Sequence, residues 1–186
     1  MQKNDICLIQ ETYCTVEVER NWRNEWGGQI FCSNGTNHAR GVMVLVKPGF
    51  DIEVVDVVSD TMGRFLLLDA KIQNSSLKII NVYAPNEENC QIHFYGFLRN
   101  MINKHVNQDD ILIMGGDFNF IFNPDLDRKG GAQVSNTGLR KKILDKLEIL
   151  LNEHELQEIW RIQHPKRKRF TWHQYTRKIY SRLDYW

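Results

Sequence analysis

The sequence lacks several features that define whole classes of protein. Its longest apolar runs, at residues 42–46 and 111–114, are far shorter than the roughly 20 residues that a membrane-spanning helix needs. Its four cysteines form no CxxC pair, and its polar first residues are not followed by a small-residue cleavage site. We therefore expect reduced thiols and a nuclear or cytoplasmic protein that is neither secreted nor membrane-bound.

What is present suits one globular domain over residues 1–186. The chain is 42% hydrophobic and 25% charged, which is typical of a folded soluble domain. The net charge of +1 hides an asymmetry, because residues 161–182 hold eight basic residues and no acid, leaving −7 (+1 minus +8) elsewhere. Aromatic residues lie among these cations, which suits contacts with phosphates and bases. A solvated basic loop is the alternative.

Short runs rich in β-branched and aromatic residues, separated by turn signals, predict strands at residues 6–10, 29–33, 42–46, 52–58, 64–71, 77–83 and 111–114. A polar turn at residues 74–76 suggests a hairpin. Helical periodicity predicts a helix from Glu88 to His105, another over residues 139–151 with Ser135, Asn136 or Thr137 as its N-cap, and a weaker one over residues 15–25. Strands interleaved with helices predict an α/β or α+β layered domain.

Polar residues follow several of these strands, where layered folds usually place their sites. Glu11 ends the first strand, and a single carboxylate completed by water and phosphate oxygens suits Mg²⁺; an ordinary strand-end acid is the alternative. Asp117 and Asn119 follow an apolar strand and two glycines. On an extended chain their side chains share one side while Phe118 points into the core, so an acid and an amide would line one pocket. An Asx turn is the alternative.

Two more polar residues lie at predicted strand ends. Tyr83 ends the strand at residues 77–83, from where its hydroxyl could reach an anion; a simple buried aromatic is the alternative. Asp184 lies between Leu183 and Tyr185 in a predicted strand over residues 179–186. That alternation fits one inward-facing acid, which could orient a histidine.

Four strings, taken together and in this order, resemble signatures of the endonuclease/exonuclease/phosphatase superfamily, which has the fold of DNase I. They are Gln10-Glu11-Thr12, Asn81-Val82-Tyr83-Ala84-Pro85-Asn86, Gly115-Gly116-Asp117-Phe118-Asn119 and Ser181-Arg182-Leu183-Asp184-Tyr185-Trp186. Further strings, such as Trp160-Arg161 with His164-Pro165-Lys166, then Phe170-Thr171-Trp172, resemble the endonuclease domain of LINE-type retrotransposons. The resemblance implies a four-layer sandwich of two mainly antiparallel sheets flanked by helices.

The resemblance also implies roles for the matched residues. Glu11 would be the metal ligand, and catalysis would use Tyr83, Asp117, Asn119 and Asp184. In this scheme Tyr83 contacts the phosphate, Asp117 activates or orients water, and Asn119 holds the phosphate. Asp184 orients the catalytic histidine.

The implied reaction is attack of water on a DNA phosphodiester, assisted by Mg²⁺ or by Mn²⁺. Arg128 and Thr171 match positions near the DNA backbone. The product would be a 3′-hydroxyl that the reverse transcriptase region of the same polyprotein extends.

Two family features have no match in the sequence. Family members open with a strand that bears a supporting Asn, and they end with a Ser-Asp-His triplet; none of the six histidines lies in that context. Because losing a general base typically costs about 10²- to 10⁴-fold in rate, we expect this polypeptide by itself to be inactive or nearly so. The alternatives are a phosphatase or sphingomyelinase of the same fold, and a non-catalytic nucleic-acid-binding module derived from the domain.

Overall fold

The computed structural model describes residues 4–135 and 137–186; the N-cap candidate Asn136 lies outside the described residues. The strands are β1 (Ile6–Gln10), β2 (Gln29–Ser33), β3 (Val42–Val46), β4 (Glu53–Ser59), β5 (Phe65–Ile72), β6 (Ser75–Tyr83), β7 (Ile111–Asp117), β8 (Arg128–Lys129), β9 (Trp172–Gln174), β10 (Ile179–Ser181) and β11 (Asp184–Tyr185). The helices are α1 (Val16–Trp26), α2 (Glu88–His105), α3 (Pro124–Asp127), α4 (Gly138–Glu153) and α5 (Ile159–Gln163). This mixed composition confirms the predicted α/β class.

The chain divides into two compact units. Unit 1 comprises Met1–Tyr83 and Val106–Gly116, and unit 2 comprises Ala84–His105 and Asp117–Trp186. Among the described residues, no helix combines the length and the apolar character that crossing a membrane requires.

Unit 1 contains two sheets, the first in the order β1-β3-β2 and the second containing β7-β6-β5-β4. All five residues of β3 are buried. Because side chains alternate along a strand, Val42, Val44 and Val46 join a core cluster with residues of β5 and β6, while Met43 and Leu45 join a separate one. Burial of each such side chain stabilises the fold by roughly 1.5–3 kcal/mol.

The β5–β6 hairpin of unit 1 is close to the prediction. Ile72 pairs with Ser75, so the turn consists of Gln73 and Asn74 and lies one residue earlier than predicted. Gln73 takes the left-handed conformation, with φ 55°, which tight two-residue hairpins require.

A buried amide joins the two sheets of unit 1. Asn81, on β6, is fully buried, and its Oδ1 accepts a 2.6 Å hydrogen bond from Gln10 Nε2. Its Nδ2 donates to the carbonyl oxygens of Ile9 at 3.0 Å and Met43 at 2.9 Å. The end of β1 is therefore tied to β6, which carries Tyr83 at its own end.

Unit 2 is built on the packing of α2 against α4 and also contains a small sheet in the order β8-β10-β9. The periodicity that predicts α2 assigns one apolar face to Phe94, Phe97, Leu98, Met101, Ile102 and His105, and this assignment is partly wrong. Phe97 is 37% exposed, whereas Tyr95 is 1% exposed. The buried face is turned toward Tyr95, whose hydroxyl donates to the carbonyl oxygen of Phe118.

The single strand predicted over residues 179–186 is also wrong. It is divided into β10 and β11, with Arg182 and Leu183 between them. The Arg182 N–H donates to the carbonyl oxygen of Asp127 at 2.8 Å, and the Leu183 N–H donates to Thr171 Oγ1 at 3.0 Å. These contacts replace ladder hydrogen bonds and separate Asp184 from β10.

Candidate active site

In unit 1 the candidate residues Glu11 and Tyr83 form a hydrogen-bonded pair. Glu11 directly follows β1 in the left-handed region, with φ 52°, which ends the strand and leaves the residue exposed. Tyr83 is 7% exposed, and its hydroxyl donates to Glu11 Oε1 at 2.5 Å. Tyr83 is thus a buried aromatic whose hydroxyl reaches an anion, and that anion is the proposed metal ligand.

Arg64, directly before β5, holds Tyr83 in place, and it is not among the residues predicted from the sequence. Its Nη1 donates to the carbonyl oxygen of Tyr83 at 3.0 Å, while its own carbonyl accepts from the Tyr83 N–H at 2.9 Å. The guanidinium carbon lies 5.0 Å from the centroid of the Tyr83 ring, within cation–π range. Only the β5–β6 register brings these two residues together, so the sequence carries no local signal for the contact.

The donor set fits Mg²⁺ better than a transition metal. Mg²⁺ is typically held by one or two carboxylates, with water and phosphate oxygens in its other positions, and Glu11 offers one exposed carboxylate. Among the described residues, no group of three or more His, Cys, Asp or Glu side chains could hold a metal. The Tyr83 hydroxyl fixes Oε1, as outer partners of metal ligands commonly do.

In unit 2 the candidate residues Asp117 and Asn119 lie in one turn, whose geometry corrects one prediction. The chain is not extended here, because Asn119 is left-handed with φ 46°. Its N–H donates to Asp117 Oδ1 at 2.8 Å, which is the Asx turn of the alternative interpretation. Phe118 is buried, 4% exposed, as predicted. Asn119 Nδ2 donates to the carbonyl oxygen of Ala84 at 2.7 Å, which still leaves one of its two amide hydrogens for a ligand.

Helix α2 supports this turn from beneath with two buried side chains. Gln91, 2% exposed, donates through Nε2 to the carbonyl oxygens of Pro85 at 2.7 Å and Asn119 at 2.9 Å. Burial first, and then the negative charge of Asp117, raises the pKa of Tyr95 well above its ordinary value. Tyr95 therefore stays protonated and remains a donor to the turn.

Asp184 is positioned through its backbone. Thr171 Oγ1 accepts from the N–H groups of Leu183 at 3.0 Å and Asp184 at 3.3 Å, and the Phe118 N–H donates to the carbonyl oxygen of Leu183 at 2.9 Å. Asp184 therefore lies on a segment bonded to the Asp117 turn. Within the described part of the chain its carboxylate has no hydrogen-bond or ion-pair partner and contacts no histidine, so its orienting role stays a prediction.

Asp127 is the centre of a buried ion-pair network that the sequence analysis missed. It is fully buried and accepts from Arg182 Nε at 2.9 Å and Nη2 at 3.3 Å, and from Arg161 Nη2. Arg182 Nη1 also lies 3.0 Å from Glu158 Oε1. Two of the eight cations at residues 161–182 are therefore neutralised inside the protein and do not form part of an exposed basic surface.

The two residues predicted to lie near the DNA backbone differ in their surroundings. The Thr171 hydroxyl accepts from the backbone N–H groups of Leu183 and Asp184, whereas Arg128 Nε donates to the carbonyl oxygen of Gly130 at 3.3 Å. Arg128 pairs with Ser181 in the small sheet. The DNA contacts of both residues stay predictions.

The chain is similar in sequence and in fold to several known proteins. A Xenopus laevis protein described as the transposon TX1 uncharacterized 149 kDa protein is 29% identical over 168 residues, covering 90% of this chain and 12% of that protein. The chain thus spans about an eighth of the length of that relative. An AP endonuclease from Archaeoglobus fulgidus superposes with a TM-score of 0.73 at 20% identity, over 98% of this chain and 75% of that chain.

The catalytic domain of APE2 from Xenopus laevis gives a TM-score of 0.74 at 20% identity, covering 98% of this chain and 73% of that one. At this level of identity the two structures show the fold, and they confirm the predicted DNase I-like arrangement. The model of the Endonuclease/Exonuclease/phosphatase family matches residues 1–186. The chain therefore belongs to the endonuclease/exonuclease/phosphatase family of hydrolytic enzymes, and by this resemblance it is a nuclease-type domain.

Proposed function

We propose that this chain is the Mg²⁺-dependent DNA endonuclease domain of a LINE-type transposable element. As part of the complete element polyprotein it nicks one strand of target DNA and leaves a 3′-hydroxyl for the reverse transcriptase region, in the nucleus or the cytoplasm, whereas residues 1–186 by themselves are expected to be inactive or nearly so. The observation that carries the proposal is the 2.5 Å hydrogen bond from Tyr83 to Glu11, which orients a carboxylate suited to Mg²⁺. The family and the likeness to a transposon protein support it.

The chemistry assigns one task to each residue. Bound Mg²⁺ would neutralise charge that develops on the phosphate, and Glu11, oriented by Tyr83, would hold it. Asp117 orients the attacking water and accepts its proton, while the remaining amide hydrogen of Asn119 binds a phosphate oxygen. Mn²⁺ prefers the same kind of oxygen ligand, so it would serve in place of Mg²⁺.

A second candidate function is a non-catalytic nucleic-acid-binding module. It is favoured by the exposed basic residues between 166 and 178, which form no ion pair within the described part of the chain. Such a module would bind DNA with strong salt dependence and would not need Asp117. A phosphatase or sphingomyelinase has no comparable support, because these cations suit a polymeric anion better than a small phosphate ester.

The test is nicking of supercoiled plasmid in Mg²⁺ by the protein expressed from its complete open reading frame. We expect the wild type to nick, and Glu11→Gln and Asp117→Asn to lose about 10²-fold or more, since each removes a charge that acts on the reacting phosphate. Glu17→Gln on α1 and Asp109→Asn in the turn before β7 remove exposed acids and serve as matched controls.

Two results would overturn the proposal. One is nicking by Asp117→Asn at the wild-type rate. The other is salt-dependent binding without nicking by the wild type, which would assign the binding module instead. An extendable 3′-hydroxyl at the nick, measured by polymerase incorporation, tests the product separately.

A further inference from the structure

Residues 164–169, here called the basic loop, follow α5 and begin with a tight turn. The Arg167 N–H donates to the carbonyl oxygen of His164 at 3.2 Å, which places Pro165 at the second position, where its fixed φ favours a turn. Residues 165–169 are all exposed. Four consecutive cations, Lys166 to Arg169, therefore project from a short, closed segment.

A single guanidinium holds the loop from inside. Arg161 Nη1 lies 3.2 Å, 3.4 Å and 3.0 Å from the carbonyl oxygens of His164, Pro165 and Arg167. Its Nη2 is bonded to the buried carboxylate of Asp127. Because the carbonyl oxygens of the loop point at Arg161, the basic side chains lie on the exposed side. The Arg161 contacts fix the conformation of the loop in the absence of a partner.

The four cations have no acidic partner among the described residues. The guanidinium carbons of Arg167 and Arg169 lie 5.8 Å and 4.7 Å from the ring centroid of Trp160. The ring centroids of His164 and Trp160 are 4.0 Å apart. Stacking on Trp160 thus orders two of the cations without neutralising them. A surface of this kind attracts a partner with several negative charges.

We propose that the basic loop binds the sugar-phosphate backbone of a nucleic acid, at phosphates other than the one that is cleaved. The identity of the partner rests on the proposed function. Phosphate oxygens accept hydrogen bonds from Lys and Arg side chains, and the basic loop presents such side chains without opening its turn. The alternative partner is a nuclear import receptor that binds basic segments in extended form. Binding to such a receptor would require the turn to open and the Arg161 contacts to break.

Fluorescence anisotropy tests the inference with the protein from its complete open reading frame, in EDTA so that no cleavage occurs. The probe is a labelled DNA duplex, titrated at salt concentrations from about 50 to 200 mM. Each phosphate contact contributes about 0.9 to the slope of log affinity against log salt on duplex DNA. We expect Lys166→Ala/Lys168→Ala to lower the slope by about 1.8. Across this salt range the loss of affinity of the wild type should therefore be roughly 12 times that of the variant.

Lys141→Ala/Lys142→Ala on α4 is the charge-matched control, because both lysines are exposed and lie outside the loop. Pro165→Gly tests the preformed shape, because it loosens the turn and changes no charge. We expect it to weaken binding a few-fold with the slope unchanged. Parallel titrations with an RNA duplex and with single-stranded DNA show which nucleic acid supplies the phosphates.

An unchanged slope in Lys166→Ala/Lys168→Ala would overturn the inference, and so would an equal fall in the control pair. Reduced nuclear import with an unchanged slope would also overturn it, and would assign the loop to an import receptor. If the wild type fails to nick DNA but the slope falls as expected, the proposed function is wrong and the backbone contact stands.

Discussion

Replacing Asp127 with asparagine tests whether the buried ion-pair network stabilises the fold around Asp184. The substitution keeps the shape of the side chain and removes its negative charge. In the wild type, the guanidinium groups donate to the carboxylate oxygens of Asp127. The amide of the variant instead turns N–H hydrogens toward these donors. Arg182, 3% exposed, is then left with Glu158 as its ion-pair partner.

The size of the effect follows from this burial. Removing one partner of a buried ion pair typically costs about 3–5 kcal/mol, because the remaining charge stays out of water. Glu158 still balances Arg182, and the Arg161 side chain is 21% exposed, so we expect the lower end, about 3 kcal/mol. A domain stable by about 5–15 kcal/mol would lose a large fraction of its stability.

Urea unfolding, followed by circular dichroism and tryptophan fluorescence, measures the change in free energy of unfolding. Asp145→Asn is the matched control, because its pair with Lys141 is exposed at 3.4 Å and contributes about 0.3–0.5 kcal/mol. Arg182→Met in the Asp127→Asn background should recover about 1 kcal/mol or more, because it removes a buried cation that has lost one of its two carboxylate partners and leaves only Glu158, whose side chain is 22% exposed. A loss below about 1 kcal/mol in Asp127→Asn, or no recovery in the double variant, would refute the reasoning.

Three further substitutions test single contacts. Tyr83→Phe removes a hydrogen bond to a charged acceptor, worth about 1.5–3 kcal/mol, so nicking at limiting Mg²⁺ should fall roughly 10- to 150-fold; an unchanged Mg²⁺ dependence would exclude the orienting role of Tyr83 on Glu11. Thr171→Val leaves two backbone N–H groups without their acceptor and should lower Tm in calorimetry, while Thr171→Ser should not. Burial acts to raise the pKa of Asp110, but hydrogen bonds from Ser76 and a backbone amide, with a nearby cation, lower it overall. Stability from Asp110 is therefore present above its unfolded pKa of about 3.9 and is lost as pH falls through the folded value, so Asp110→Asn should flatten the fall in unfolding free energy below about pH 4.

Much of the fold was predictable because it rests on local chemistry. The apolar run at Val42–Val46 has the length and β-branched composition of a buried strand, and β3 has those bounds. Helix α1 begins after Thr15, whose hydroxyl accepts from the Val18 N–H, and ends at the left-handed Gly27. These signals lie within a few residues of the elements that they define, so neighbouring sequence alone suffices.

The position of the candidate residues at strand ends was predictable from the sequence, and their local geometry was less so. Glu11, Tyr83, Asp117 and Asn119 lie at strand ends as expected, but the left-handed Asn119 replaces an extended chain with an Asx turn. That choice depends on acceptors distant in sequence, such as the Ala84 carbonyl oxygen 35 residues away. The Asp127 network was missed for the same reason, since its pair with Arg182 spans 55 residues.

The buried amide of Asn81 has a mechanical consequence for unit 1. Apolar contacts between sandwich sheets are non-directional, but here a shift of one sheet against the other would leave the buried amide groups of Asn81 without partners, at about 1–3 kcal/mol for each group. The sheets are therefore pinned at the end where Glu11 and Tyr83 emerge. Core substitutions that change side-chain volume should therefore shift the sheets at the opposite end. The distance between the Tyr83 hydroxyl and the Glu11 carboxylate should stay the same.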